Sequence, residues 1–172
     1  MDAISLNITV NGKAYSLSVD PSMTVRELLH DELGLTGTKI CCAIWVCGVC
    51  TIAIQYAGND SLESTRTCGL KVSDVNGASL TTVEGLADGD NLHPLQQVFL
   101  EKYAFQCGYC TPGFLMEAYV LWETLKKSPV PKDQLDATIS KAINNHICRC
   151  TGYVRYLDAI RAAILAQPGM TT

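Results

Sequence analysis

Positive charge is scarce in this chain, and so is charge of either sign. Charged residues make up 17% of the 172, and the formal net charge is −4. A phosphate-binding surface needs an excess of lysine and arginine, which argues against nucleic acid as a partner. The opening residues, MDAISLNITVNG, contain no basic stretch followed by an apolar one and no twin arginine. No run of about twenty apolar residues occurs anywhere, so the expectation is no export signal of its own and no direct membrane insertion. The expected location is the cytoplasm, or outside it if a partner supplies the signal. What the chain does have is apolar content, 48%, enough to pack one ordinary domain or two small ones.

The few charges are unevenly placed. Between Lys126 and Arg161 seven basic residues face three acidic ones, while the rest of the chain is strongly acidic. A solvated helix face is the expected meaning, and contact with an anionic cofactor or partner is the alternative.

Cysteine is abundant, at nine residues, an odd number that suits a full disulfide framework badly. In a reducing compartment such thiols bind metals instead of pairing. Eight of them form two four-thiolate sets. The first is Cys42-x4-Cys47-x2-Cys50, completed by Cys68, and the second is Cys107-x2-Cys110, completed by Cys148-x-Cys150. The first spacing is the plant-type pattern for a [2Fe–2S] cluster, and soft thiolates suit such a centre. Structural zinc is the competing assignment for any single Cys-x2-Cys pair, but zinc ribbons usually offer two such knuckles. His146 lies two residues before Cys148, yet a Rieske site needs two histidines spaced with two cysteines. His30 and His93 are expected at the surface. Cys41 would give a five-residue spacing to Cys47, so it is expected as a small buried residue or an alternate ligand.

The first part of the chain reads as α+β. Leu6 to Val10 and Ala14 to Val19 alternate apolar and polar and meet at Asn11-Gly12, the strongest short hairpin signal. Thr24-Val25-Arg26-Glu27 supplies a capping box, with Leu28, Leu29 and Leu33 behind it and Gly34 as the stop. Thr51 to Ile54 and Ser79 to Val83 read as further strands, which favours a β-grasp sheet over residues 1–83. Residues 84–92, EGLADGDNL, read as a linker. From 93 to 172 the period is helical. Pro94 opens a helix with Leu95, Val98, Phe99 and Tyr103 on one face, and Thr111-Pro112 opens a second with Leu115, Tyr119 and Trp122. After Ser128-Pro129-Val130-Pro131 a third carries Leu135, Ile139 and Ile143, and a fourth carries Val154, Leu157, Ile160 and Ile164. Each helical hairpin holds one cysteine pair in its turn. Packing the two face to face as a four-helix bundle would unite the distant pairs into one site. The helix starts at Thr111 and after Gly152 would aim N–H groups toward an anionic sulfur centre.

The strings Gln106-Cys107-Gly108-Tyr109-Cys110-Thr111-Pro112-Gly113 and Cys148-Arg149-Cys150-Thr151-Gly152-Tyr153 carry a specific resemblance. With Gly34 to Lys39 and Cys47-Gly48-Val49-Cys50-Thr51, they resemble the small iron–sulfur subunit of the molybdenum hydroxylases, the xanthine dehydrogenase and aldehyde oxidoreductase family. The resemblance runs from about Leu6 to Ala166. It implies a β-grasp ferredoxin-like domain followed by an all-α four-helix bundle, each holding one [2Fe–2S] cluster. It implies a large partner with molybdopterin beside the bundle's cluster and a medium partner with FAD nearer the other. Electrons would pass from molybdenum through both clusters to FAD, within a heterotrimer or a dimer of heterotrimers. It also implies that Gln106 and Cys150 touch the pterin. The chain offers no catalytic base of its own. A free-standing ferredoxin-type carrier and a zinc-stabilised interaction module are the rival functions. One departure stands out. Cys41 and Trp45 occupy positions where the family has glycine, so the loop from Cys41 to Cys47 is expected to bend differently.

Overall fold

The computed structural model describes residues 2–172. Five strands form one mixed sheet in the order β2-β1-β5-β3-β4. β1 (Ile4–Val10) and β2 (Lys13–Val19) make the antiparallel hairpin. Asn11 and Gly12 take φ values of 50° and 78°, the two left-handed residues that a type I′ turn requires. Leu6, Ile8 and Val10 alternate inward along β1. β5 (Ser79–Thr81) adds parallel to β1, and β3 (Thr51–Gln55) pairs antiparallel with β5 and with β4 (Glu63–Arg66).

α1 (Val25–Glu27) begins with the expected capping box, Thr24 Oγ1 accepting from the Glu27 amide at 3.2 Å and Glu27 Oε2 from the Thr24 amide at 2.7 Å. It continues as a π-helical turn over Leu28–Glu32 that drives Leu28 and Leu29 into the core beneath the sheet. The polar β4, for which the sequence offers no signal, is an edge strand with no apolar alternation to betray it.

Four longer helices follow: α2 (Pro94–Glu101), α3 (Thr111–Lys127), α4 (Leu135–Ile143) and α5 (Val154–Ala166). They pack around a second core of Leu95, Phe99, Phe114, Trp122, Ile139 and Ile160. Tyr103 does not share the α2 face with Leu95. The helix ends at Glu101, and Tyr103 sits in a left-handed turn (φ 48°) with 75% of its surface exposed. His93 is not a free surface residue either: it caps α2, half-buried and edge-on to Tyr119 and Trp122. The seven basic residues between Lys126 and Arg161 are all exposed, as a solvated face requires.

α3 also covers β3, which explains why Ile52, Ala53 and Ile54 are all buried. A strand covered on both faces loses its polar alternation. The α+β class expected from sequence is the class observed. No helix among the described residues is long and apolar enough to cross a membrane.

Candidate metal centres

The first thiol set lies in the loop between the π-helical turn and β3. Cys47 and Cys50 are buried and Cys42 is half-buried, while Cys68 reaches them from just beyond the end of β4. The thiols meet in twos, Cys42 with Cys47 and Cys50 with Cys68. Burial pushes the Cys42 thiol up, but N–H groups of Ile44, Cys47 and Val46 aimed at its sulfur outweigh it and hold it at about 6. Cys68, which burial raises and which has only the Trp45 amide to offset it, is pushed up to about 11. The converging amides require alternating backbone handedness, and Ala43 and Trp45 take φ values of 55° and 61°. At Trp45 the backbone therefore takes a conformation that glycine adopts cheaply, whereas at Cys41, the other expected glycine position, it does not. A side chain in this conformation costs roughly 1–2 kcal/mol. Cys41 is exposed, not buried as expected.

The second set is built from two helix-flanking turns. Gly108 (φ 79°) turns the chain between Cys107 and Cys110, and Cys110 caps α3. Gly152 and Tyr153 (φ 62° and 70°) turn it between Cys150 and α5. Cys110 meets Cys148, both buried, and Cys107 lies 3.6 Å from Cys150, both exposed. Tyr156 anchors the buried pair: its hydroxyl is 3.4 Å from Cys110 Sγ and 2.9 Å from Thr111 Oγ1, and its ring stacks on Phe114. Burial pushes Cys110 up to about 11, with the Tyr156 hydroxyl only partly offsetting it, whereas at Cys148 the Thr151 hydroxyl and amide outweigh burial and hold the thiol low. The eight thiols singled out from sequence thus meet as four pairs, Cys42 with Cys47, Cys50 with Cys68, Cys110 with Cys148 and Cys107 with Cys150. Gln106 is exposed beside Cys107, at the edge that also exposes Cys150.

The two sets are joined through a tight seam. The Ile147 amide donates to the Cys47 carbonyl at 2.9 Å. Gly48 and Gly113 permit the approach: a Cβ on Gly113 would sit 2.3 Å from the Gly48 carbonyl oxygen, and one on Gly48 would sit 2.5 Å from the His146 ring. His146 is buried, lies 3.0 Å from Thr51 Oγ1 through Nε2, and has no partner for Nδ1. Burial, reinforced by the Arg66 charge, pushes it down to about 4, so it is neutral near pH 7. Arg66 ties both cysteine-bearing loops together, donating to the carbonyls of Trp45 and, at 2.9 Å, Asn145. Sequence reasoning missed Arg66 and the seam role of His146; their closeness to Cys68 and Cys148 was the available signal.

Among the described residues, no group of three or more histidine, cysteine or acidic side chains converges on a point that could hold one metal ion. Thiols gathered two by two suit a binuclear centre in which each iron takes two cysteines, and they suit tetrahedral single-ion zinc less well. The donor set is all sulfur, soft and fed by N–H groups, which fits an iron–sulfur cluster.

Comparison with known proteins agrees. A [2Fe-2S] binding domain family matches residues 82–161. The nicotinate dehydrogenase small FeS subunit of Eubacterium barkeri is 35% identical over 95% of this chain and 97% of its own length. The caffeine dehydrogenase subunit gamma of a Pseudomonas species is 40% identical over 94% and 92%. The crystal structure of quinoline 2-oxidoreductase from Pseudomonas putida 86 superposes with a TM-score of 0.79 at 36% identity, covering 99% of this chain and 94% of that one. The aldehyde oxidoreductase of Desulfovibrio desulfuricans superposes at 0.81 and 34% identity over all of this chain but 18% of that one, so there the same unit is part of a longer chain.

Fold and site together define an iron–sulfur component of an oxidoreductase with a ferredoxin-like α+β architecture. More narrowly, the chain belongs to the small iron–sulfur subunits of the molybdenum hydroxylases.

Proposed function

We propose that this chain is the electron-relay subunit of a molybdopterin- and flavin-containing hydroxylase or dehydrogenase, passing electrons from molybdenum through two [2Fe–2S] clusters to FAD. Cys42, Cys47, Cys50 and Cys68 would hold one cluster in a domain spanning residues 1–83. Cys107, Cys110, Cys148 and Cys150 would hold the other in a four-helix bundle spanning 93–172, with 84–92 as the linker. A [2Fe–2S] cluster takes up and releases one electron at a time, and it supplies the only redox chemistry assigned to this chain. Bond-making belongs to the large molybdopterin subunit, so the present subunit is non-catalytic.

The observation that carries this reading is the graded burial of the thiols. Cys107 and Cys150 are exposed at one edge, Cys110 and Cys148 are buried behind them, and Cys47 continues the series across the Ile147 hydrogen bond. An exposed sulfur edge leading into a buried series suits a relay fed from a partner. Gln106 and Cys150 sit at that edge and would contact the pterin. Exposed Tyr103 and Tyr109, at 75% and 47%, and Ile147, at 49%, add apolar surface to the second-set turns and suit burial against the large subunit. Ile44 and Val46 beside the first set are likewise exposed, at 70% and 52%, and suit the medium FAD subunit. Permanent assemblies commonly bury more than ~2,000 Å² in total. The complex would be a heterotrimer or its dimer, assembled in the cytoplasm.

Purification from the native source through a tag on this chain tests the proposal. A brown complex containing two further subunits, with molybdenum and flavin, is expected. The chain alone, stable and fully coloured, would point to a free carrier instead.

A further inference from the structure

Trp45 makes three contacts with the segment from Arg66 to Gly69, which carries the one thiol that the first loop does not supply. Its amide is aimed at the Cys68 sulfur. Its carbonyl accepts from Arg66 Nη1. Its indole lies against Gly69, where a Cβ would fall 2.1 Å from Nε1 and 2.6 Å from Cδ1. No side-chain carbon fits at those distances, so the indole and the bare position 69 are complementary. The left-handed backbone at Trp45, φ 61°, persists only where surroundings enforce it. These three contacts are what enforces it.

We infer that Trp45 is a positioning residue for Cys68: it locks the Arg66–Gly69 segment onto the three-cysteine loop and covers that side of the first thiol set. The inference rests on the reading that this set holds a [2Fe–2S] cluster. Cys42, Cys47 and Cys50 lie within nine residues, but Cys68 arrives 18 residues after Cys50. Closing that longer loop costs chain entropy that non-covalent contacts must offset. Trp45 is 46% exposed, and with its indole against Gly69 it stands between solvent and the Cys68 backbone. Excluding water there lowers the local dielectric and disfavours extra negative charge on the centre. Removing the ring therefore raises the reduction potential of the first centre and leaves the second untouched.

The test is a redox titration of both paramagnetic signals, with iron content measured on the same samples, in the assembled complex carrying Trp45→Gly, Trp45→Phe, Gly69→Ala or the Trp45→Gly/Gly69→Ala pair. Trp45→Gly keeps the amide and carbonyl, relieves the backbone strain and raises one potential only. Gly69→Ala leaves the indole chemically intact but displaces it, and shifts the same signal in the same direction. The double variant shifts no further than the larger single one, and Trp45→Phe restores most of the wild-type value. If Gly69→Ala loses iron, the double variant recovers it, because the new Cβ then has no ring to strike. An unmoved potential in Trp45→Gly, additive shifts in the pair, or no such recovery overturns the inference, while full iron loading of the wild-type complex keeps the cluster reading intact. A wild-type complex without iron removes that underlying reading, and the inference with it.

Discussion

The amide of Ile147 donates to the carbonyl of Cys47 at 2.9 Å. Ile147 precedes Cys148 in the chain, so one hydrogen bond and a few covalent bonds connect a thiol of the first set to a thiol of the second. Both thiols are buried. The contact fixes the spacing of the two sets within a water-poor seam, independently of how either set is loaded.

Removing that donor tests the link. Ile147→Pro leaves the Cys47 carbonyl without its partner, at a cost of about 1–3 kcal/mol in stability. Electron equilibration between the two centres, followed by rapid mixing, is expected to slow while both midpoint potentials stay put. Unchanged equilibration in a loaded variant would show that the bond serves only structure.

Gly113 is the second handle on the seam. Its absent Cβ is what lets α3 lie on the Gly48 carbonyl, and backbone cannot swing aside as a side chain can. Gly113→Ala is expected to destabilise the protein by roughly 1–3 kcal/mol through overpacking, seen as a lower thermal midpoint. A variant as stable as wild type would mean that the seam is loose.

Glu117 on α3 gives the seam a pH dependence. Burial holds its carboxyl above the ordinary 4.5, and the Ser64 hydroxyl at 3.0 Å and the Arg66 charge only partly offset this. The folded protein then keeps a proton that the unfolded chain has released. Stability accordingly falls as pH rises from about 4.5 through the folded pKa, and stays lower above it. Glu117→Gln should abolish that decline and raise the thermal midpoint near neutral pH. A variant less stable than wild type at neutral pH would show that the ionised carboxylate is a favourable partner for Arg66.

Single-ligand replacements separate the sets. Cys110→Ser or Cys148→Ser is expected to remove one paramagnetic signal and about half the iron, leaving the other signal unchanged, since each set encloses its own thiols. Loss of both signals from either variant would mean the sets are not independent.

Much of this was legible because its causes are local. The Asn11-Gly12 turn, the Thr24 capping box and the cysteine spacings each depend on a few neighbouring residues, and the helical period marked α2 to α5. The parts that escaped depend on distant partners. β4 is a strand because β3 offers it a ladder, not because its polar residues alternate. Arg66 matters because two carbonyls 21 and 79 residues away converge on it. The burial of His146 follows from the Gly48 gap, which no spacing rule records. Trp45 holds a glycine's backbone because Gly69 makes room for its ring.

Metal and sulfide analysis of the purified chain in its native assembly, read beside the spectrum of the reduced protein, tests the central claim most directly. Eight thiols grouped by spacing into two sets, with four thiolates per [2Fe–2S] cluster, predict about four iron and four inorganic sulfide per chain. Two distinguishable paramagnetic signals should accompany them. Stoichiometric zinc with little iron and a colourless solution would contradict the account.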